Sequence, residues 1–317
     1  MILGLDIGGT KTAVVLGTRD GAIRWRKEFP TAPQRGFQKV FSELSNVARE
    51  ALHGAPKPVV AISVSIGGPL DVERGIIYSP PNLPGWDAIP LKEMLAGEFS
   101  LPVYVEHDGN AGALAEWYFG AGKGFSHVVF ITMGTGFGAG LILNGRLYRG
   151  ANDLAGEMGH IRIAENGPLC YGKSGSLEGF GSGTGIMKLA HHLFPGKWDA
   201  SATVADVYRS WQAGSPEARQ VFEQSGFWLG RGLALLIDML NPQRIILGGL
   251  GMRVNNALMP FVQAVVRDEA LPAAVRACEI VPAGLGESIG DVASLCAALD
   301  QGGLAVYKST QGKVDGR

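Results

Sequence analysis

The 317-residue chain carries a formal net charge of −1, with 46% hydrophobic and 18% charged residues. It therefore has ample core material and none of the basic excess that marks a nucleic-acid or anionic-membrane surface. The length predicts two domains; three cysteines without a Cys-x-x-Cys pair argue against a disulfide framework and fit a reducing cytoplasm.

Two apolar β-type runs, Ile2–Ile7 and Thr12–Leu16, flank an Asp6-Ile7-Gly8-Gly9-Thr10-Lys11 corner. This reads as a hairpin bent around an anion. Gly8 and Gly9 let backbone N–H groups face a phosphate, Thr10 adds a hydroxyl, and Lys11 adds a charge. Asp6 could hold Mg²⁺ directly or through water, and an ordinary Gly-Gly hairpin is the plain alternative. Asp6 also falls where a signal peptide needs unbroken apolar sequence, and no run is long enough to span a bilayer. The meander continues to Trp25; residues 36–53 carry helical spacing, and 58–65 form a buried β-branched run. Gly67-Gly68-Pro69 follows, then a proline-stiffened loop holding Asn82 and Trp86, for which a packed surface loop is the plain alternative.

Pro102–His107 reads as a strand that delivers Asp108 to its C-terminal end, just before a helix over 111–118. Ligands gather there in α/β folds, although an Asp at that place could equally cap the helix. A second strand–corner–strand follows: His127–Met133, then Gly134-Thr135-Gly136-Phe137-Gly138, then 139–143, closing on an Asn144-Gly145 turn. Two Gly/Thr corners, one per half, predict a duplicated fold whose halves clasp a nucleotide. Glu157, His160 and Glu178 lie on glycine-rich loops, suited to hydroxyls or to metal. Ser215-Pro216 starts a long helix ending at Asn241-Pro242. The strand 244–247 leads to Gly248 and Gly249, a place for the adenosine end of a nucleotide. A helix within 288–308 and a flexible polar tail, 309–317, complete the chain.

Together these motifs resemble the ROK family (repressors, open reading frames and sugar kinases) of the actin/hexokinase/Hsp70 superfamily. The matching residues are Asp6–Lys11, Gly67–Pro69, Asn82–Trp86, Asp108-Gly109-Asn110, Gly134–Gly138, Glu157–His160, Gly175–Glu178 and Asn241–Gly249. The resemblance implies a two-domain α/β actin-like ATPase (ribonuclease H-like) fold with a central cleft. The expected division is a small domain, 1–108, completed by the helix at 288–308, and a large domain, 109–287. It further implies ATP and Mg²⁺ as cofactors, a homodimer, and phosphorylation of a sugar hydroxyl.

On that reading Asp108 is the base. Asn82, Gly68, His107, Glu157, His160 and Glu178 bind sugar. Asp6, Gly8, Gly9, Thr10, Lys11, Gly134, Thr135, Gly136, Gly138, Gly248 and Gly249 serve the nucleotide and its metal. A glucose-like hexose stands ahead of N-acetylmannosamine or N-acetylglucosamine, and a sugar-responsive binding protein without catalysis is the reading from another class. An ATPase chaperone or filament protein would not need Glu157, His160 and Glu178 together.

Three features depart from the family pattern. The first motif begins too early for a preceding helix-turn-helix, so no DNA binding is expected. His107 stands where Asn is usual. The zinc loop Cys-x-Cys-Gly-x-x-Gly-Cys-x-Glu has Leu169, Tyr171 and Ser176 at its cysteine positions, with Cys170 between the first two, so no structural zinc is expected. Pro168, Tyr171 and the stem of Lys173 are the expected packing groups of that loop.

Overall fold

A computed structural model describes residues 1–170 and 172–305. It divides into two compact units: 1–124 with 145–155 and 287 onward, and 125–144 with 156–286.

The first unit is built on a five-stranded sheet. Its elements are β1 (Ile2–Ile7), β2 (Lys11–Gly17), β3 (Ile23–Pro30), α1 (Phe37–His53), β4 (Ala61–Ile66), a small hairpin sheet of β5 (Leu70–Asp71), β6 (Ile76–Tyr78) and β7 (Asp87–Ile89), α2 (Leu91–Phe99), β8 (Val103–His107) and α3 (Asp108–Phe119). The order β3-β2-β1-β4-β8 puts β1 antiparallel to β2 and parallel to β4. Every residue of β4 is buried, as its unbroken apolar and β-branched run requires of a strand covered on both faces. α1 covers the sheet over β2 and β1, and its buried Val40, Leu44, Val47, Ala48 and Ala51 recur at helical spacing.

The second unit repeats the plan. It holds β9 (Val128–Met133) and β10 (Phe137–Leu143), while β11 (Arg146–Tyr148) falls in the 145–155 segment of the first unit. After the short pair β12 (Leu169–Cys170) and β13 (Lys173–Ser174) come α4 (Leu177–Gly181), α5 (Gly183–Leu193), α6 (Val204–Gln212), α7 (Pro216–Leu240), β14 (Arg244–Gly249), α8 (Leu250–Arg253), α9 (Asn255–Glu269), α10 (Pro272–Ala277) and β15 (Glu279–Pro282). The order β10-β9-β14-β15 again pairs a first strand antiparallel to its chain neighbour and parallel to a later one. The duplication expected from the two glycine corners is thus written in the strand order.

Two sequence expectations change. The division expected at residue 108 falls at Gly124, because α3 packs with α11 (Ile289–Ala293) and α12 (Cys296–Asp300) inside the first unit. The single helix expected within 288–308 is these two short helices. Between them Ser294 turns its hydroxyl back to the Asp291 carbonyl (2.6 Å), and the fully buried Leu295 presses where a side chain at Gly17 would stand. Residues 306–317, including the expected tail, lie outside the described residues.

Candidate functional site

In the first unit the phosphate-type corner is a tight turn closed by Gly8 N–H donating to Lys11 O (3.0 Å). A residue that sequence reasoning passed over pins it: Thr31 donates its hydroxyl to Gly8 O (2.6 Å), and its N–H donates to Thr10 O (3.0 Å). Thr10 and Lys11 are exposed at the tip. Lys11 Nζ donates to Glu28 Oε2 (3.0 Å), so its charge is shared with the next strand rather than offered whole to a ligand. Asn82 is exposed on a loop anchored by buried Leu83 and Trp86, and Trp86 meets Phe37 edge-on. Trp86 therefore packs into the core of the first unit. The Asn82 carbonyl oxygen lies 2.5 Å from where a Cβ on Gly9 would stand, so only glycine lets the corner and this loop meet.

At the C-terminal end of β8 the helix cap is His107, not Asp108. His107 Nδ1 accepts from Gly109 N–H (3.3 Å), while Asp108 already belongs to the first turn of α3. Asp108 Oδ1 also accepts from Gly109 N–H (2.7 Å), yet its side chain stays 52% exposed and can still be reached by a ligand. With Nδ1 as acceptor, His107 presents Nε2 as its donor. That edge of the ring lies 3.1 Å from where a Cβ on Gly68 would stand.

Asp6, half-buried on β1, faces the same region. Burial pushes its carboxyl up to about 7, and the Asp108 and Asp291 carboxylates add to this against Lys11 and Arg26. The folded pKa thus lies above the unfolded value of about 4. The folded form therefore holds a proton that the unfolded chain has lost between those limits. Asp6 costs stability increasingly as pH rises through that window, and most above it. Asp6→Asn is expected to raise the thermal midpoint of the ligand-free protein at about pH 8 but not at about pH 4. Equal shifts at both would show that Asp6 is not held protonated.

The second unit gathers its polar groups around the start of β10. Gly134 and Thr135 are exposed at the corner, with Gly134 N–H donating to Gly136 O (3.0 Å) and Gly183 N–H donating to Gly134 O (2.7 Å). Gly138 follows within β10, facing Thr132. Glu178 is 8% exposed and accepts from Phe137 N–H (3.1 Å). Burial holds its carboxyl above the ordinary range, the Phe137 bond opposes this, and the Glu157 charge adds to it. Glu157 and His160 are both exposed and bracket a turn at Gly159, where a Cβ would stand 2.5 Å from the Phe137 carbonyl oxygen. Gly248 and Gly249 end β14 beside Thr132 and Met133, and Gly249 takes φ +59 against the Met133 carbonyl.

Among the described residues no group of three or more His, Cys, Asp or Glu is arranged to hold a metal. The loop that the resemblance sets against the family's zinc loop carries a network of its own hydrogen bonds. Ile163 and Ala164 N–H donate to Gly175 O (2.8 and 3.1 Å), Leu177 N–H donates to Ile161 O (2.9 Å), and Lys173 Nζ donates to His160 O (2.7 Å). Pro168 is buried as expected, whereas Lys173 acts through its ammonium, and Tyr171 lies outside the described residues. Fold and activity are expected to persist under a zinc chelator at saturating Mg²⁺. Near-stoichiometric zinc, lost together with activity, would contradict this.

A cavity of about 660 Å³ in the first unit, lined by Leu70, Asp71, Tyr78, Arg149, Asp153 and Gln301 among others, contains none of the predicted site residues. No helix among the described residues is long and apolar enough to cross a membrane.

The ROK family model matches residues 2–299. The chain belongs to the ROK family. It is 32% identical over 303 residues to a glucokinase of Halalkalibacterium halodurans, covering 91% of this chain and 92% of that one. A ROK hexokinase from Thermus thermophilus superposes with a TM-score of 0.80 at 31% identity, covering 95% of this chain and 99% of the other. A ROK family glucokinase from Streptomyces griseus, in complex with glucose and AMPPNP, gives 0.78 at 29%, with the same coverage. A putative xylose repressor of Caldicellulosiruptor is 29% identical over 85% of this chain and 71% of its own length. The fold is that of the actin-like ATPases, as the ROK resemblance implied.

Proposed function

We propose that this ROK protein is an ATP-dependent sugar kinase that transfers the γ-phosphoryl group to a hexose hydroxyl, with the 6-OH of glucose as first candidate. The observation that carries the reading is Asp108: a carboxylate at a strand end, left exposed because His107 takes the capping role. Glucokinases among its relatives support it. In the proposed reaction Asp108 accepts the proton of the attacking hydroxyl, which is a poor nucleophile until it is lost. The corner of Gly8, Gly9 and Thr10, exposed at Thr10, is assigned to phosphoryl charge, as is the second corner of Gly134, Thr135, Gly136 and Gly138; aiming donors is most of the work in a largely dissociative transfer. Gly248 and Gly249 are assigned to the adenosine end. Asn82, Gly68, Glu157, His160 and Glu178 are assigned to the sugar hydroxyls, where a polar set rejects analogues lacking one.

Asp6 fits a cation, since two neighbouring carboxylates and burial disfavour its own charge. Asp6 would hold Mg²⁺ there, directly or through water. Bound Mg²⁺ supplies neutralisation of phosphate charge. The homodimer implied by the resemblance is part of the same reading, and light scattering checks it.

A second reading, a sugar-responsive protein without catalysis, is favoured by the repressors among the relatives and by the altered zinc loop. Sugar-dependent ADP release across a panel of hexoses and acetamido sugars separates the two. Release with glucose or an acetamido hexose is expected for the kinase. Sugar binding without release is expected for the other. In the same panel His107→Asn should keep the cap, since Asn also caps well, while changing the sugar ranking or the pH profile. An unchanged ranking and profile would mean the ring only caps.

A further inference from the structure

Glu106, one residue before the end of β8, is fully buried, although the strand around it is apolar. Its two carboxylate oxygens are used differently. Oε1 accepts from the His107 main-chain N–H (3.1 Å) and from Asn110 Nδ2 (3.0 Å), residues that stand on either side of Asp108. Oε2 accepts from Arg149 Nε (3.0 Å) and Nη2 (2.7 Å), and from Gln301 Nε2 (3.2 Å). Arg149 Nη2 also reaches Asp300 Oδ2 (2.9 Å), and Gln301 Nε2 reaches the Val105 carbonyl (2.9 Å). One carboxylate thus ties the strand-to-helix turn to two segments distant in the chain.

Stability does not explain such a group well. A buried ion pair can often be replaced by apolar residues at no loss, so what it supplies is orientation. Arg149 brings two nitrogens to one oxygen, Oε2, and Gln301 adds a third donor there, so Oε2 is held in place and Oε1 is left for the turn. With Oε2 held, Oε1 accepts from both donors that bracket Asp108.

We propose that Glu106 and Arg149 are positioning residues: the pair sets the turn that aims Asp108 and acts on the reaction only through it. The inference rests on the kinase reading, with Asp108 as base. A misplacement of the base by about 1 Å can cost about 10²-fold in rate. Sugar and nucleotide affinity have no reason to follow, because neither residue is assigned to a ligand.

The test compares wild type with Arg149→Met, Arg149→Lys and Glu106→Gln in glucose phosphorylation, alongside amide exchange over residues 104–112. Arg149→Met and Glu106→Gln are expected to lower kcat by about 10- to 100-fold with both KM values within about twofold. Exchange at the turn should quicken while β1 and β4 stay protected. Arg149→Lys, which keeps the charge and loses the fork, should fall between. A folded Arg149→Met with wild-type kcat and wild-type exchange would overturn the proposal, as would losses confined to KM. Should Arg149→Met fail to fold, Gln301→Leu and Arg149→Lys carry the same two readouts, and wild-type values in both would overturn it. If wild type itself releases no product with any sugar, the kinase reading fails, and exchange at the turn alone decides whether the clamp exists.

Discussion

Asp108→Asn is expected to lower sugar phosphorylation by about 10²- to 10⁴-fold while sugar binding largely survives. The substitution keeps the size of the side chain and an oxygen able to accept from Gly109 N–H, as Asp108 Oδ1 does now at 2.7 Å. It removes the proton acceptor. Because His107 is the cap, the start of α3 should be undisturbed, and the thermal midpoint should not fall. It should rise slightly above neutral pH, since the Asp108 charge is one of the groups that raise the Asp6 carboxyl. Calorimetric titration with glucose and a turnover assay on the same preparation check this. Near-full turnover in Asp108→Asn would reduce Asp108 to a ligand or a helix residue.

Gly9→Ala should have the second largest effect. A methyl group at this position would sit 2.5 Å from the Asn82 carbonyl oxygen and 2.7 Å from its Cβ, closer than atoms pack. Either the phosphate corner or the Asn82 loop must shift. That loop cannot yield freely, because Trp86 and Leu83 anchor it in the core. The corner is pinned in turn by Thr31. A shift of about 1 Å between two assigned ligand groups should lower kcat/KM for sugar by about 10²-fold. Gly134→Ala is the matched control, since nothing lies within 4 Å of a Cβ there. It should leave the thermal midpoint unchanged and raise KM for the nucleotide alone. Equal activity of Gly9→Ala and wild type would show that the corner and the Asn82 loop move independently of function.

The parts legible in the sequence were those with a local cause. Glycine corners after apolar runs announced the two hairpins, and the alternation of helical and β-type patterning announced the duplicated α/β plan. Asp108 stood out because it follows a strand directly. What escaped was long-range. Glu106 was read only as the end of a strand, although a carboxylate in a buried β run is itself a signal that it has partners elsewhere. Its partners, Arg149 and Gln301, are 43 and 195 residues away, and no spacing rule connects them. Thr31 pins the Gly8 carbonyl from 23 residues away for the same reason. Asp108 stood as the alternative cap at β8–α3 because His is a rarer cap than Asp, and the geometry gives the cap to His107. The unit boundary moved from residue 108 to Gly124 because α3 finds its packing partners in α11 and α12, at the far end of the chain.

The central claim is that phosphoryl transfer to a sugar hydroxyl is carried by Asp108. Phosphorus NMR of wild type and Asp108→Asn, each incubated with ATP, Mg²⁺ and glucose at saturation, tests it most directly. A sugar monophosphate resonance that grows with ADP in wild type, and is missing from the variant that still binds glucose, is the predicted result. Glucose bound by wild type with ATP left intact, or the same product formed at the same rate by both proteins, would contradict it.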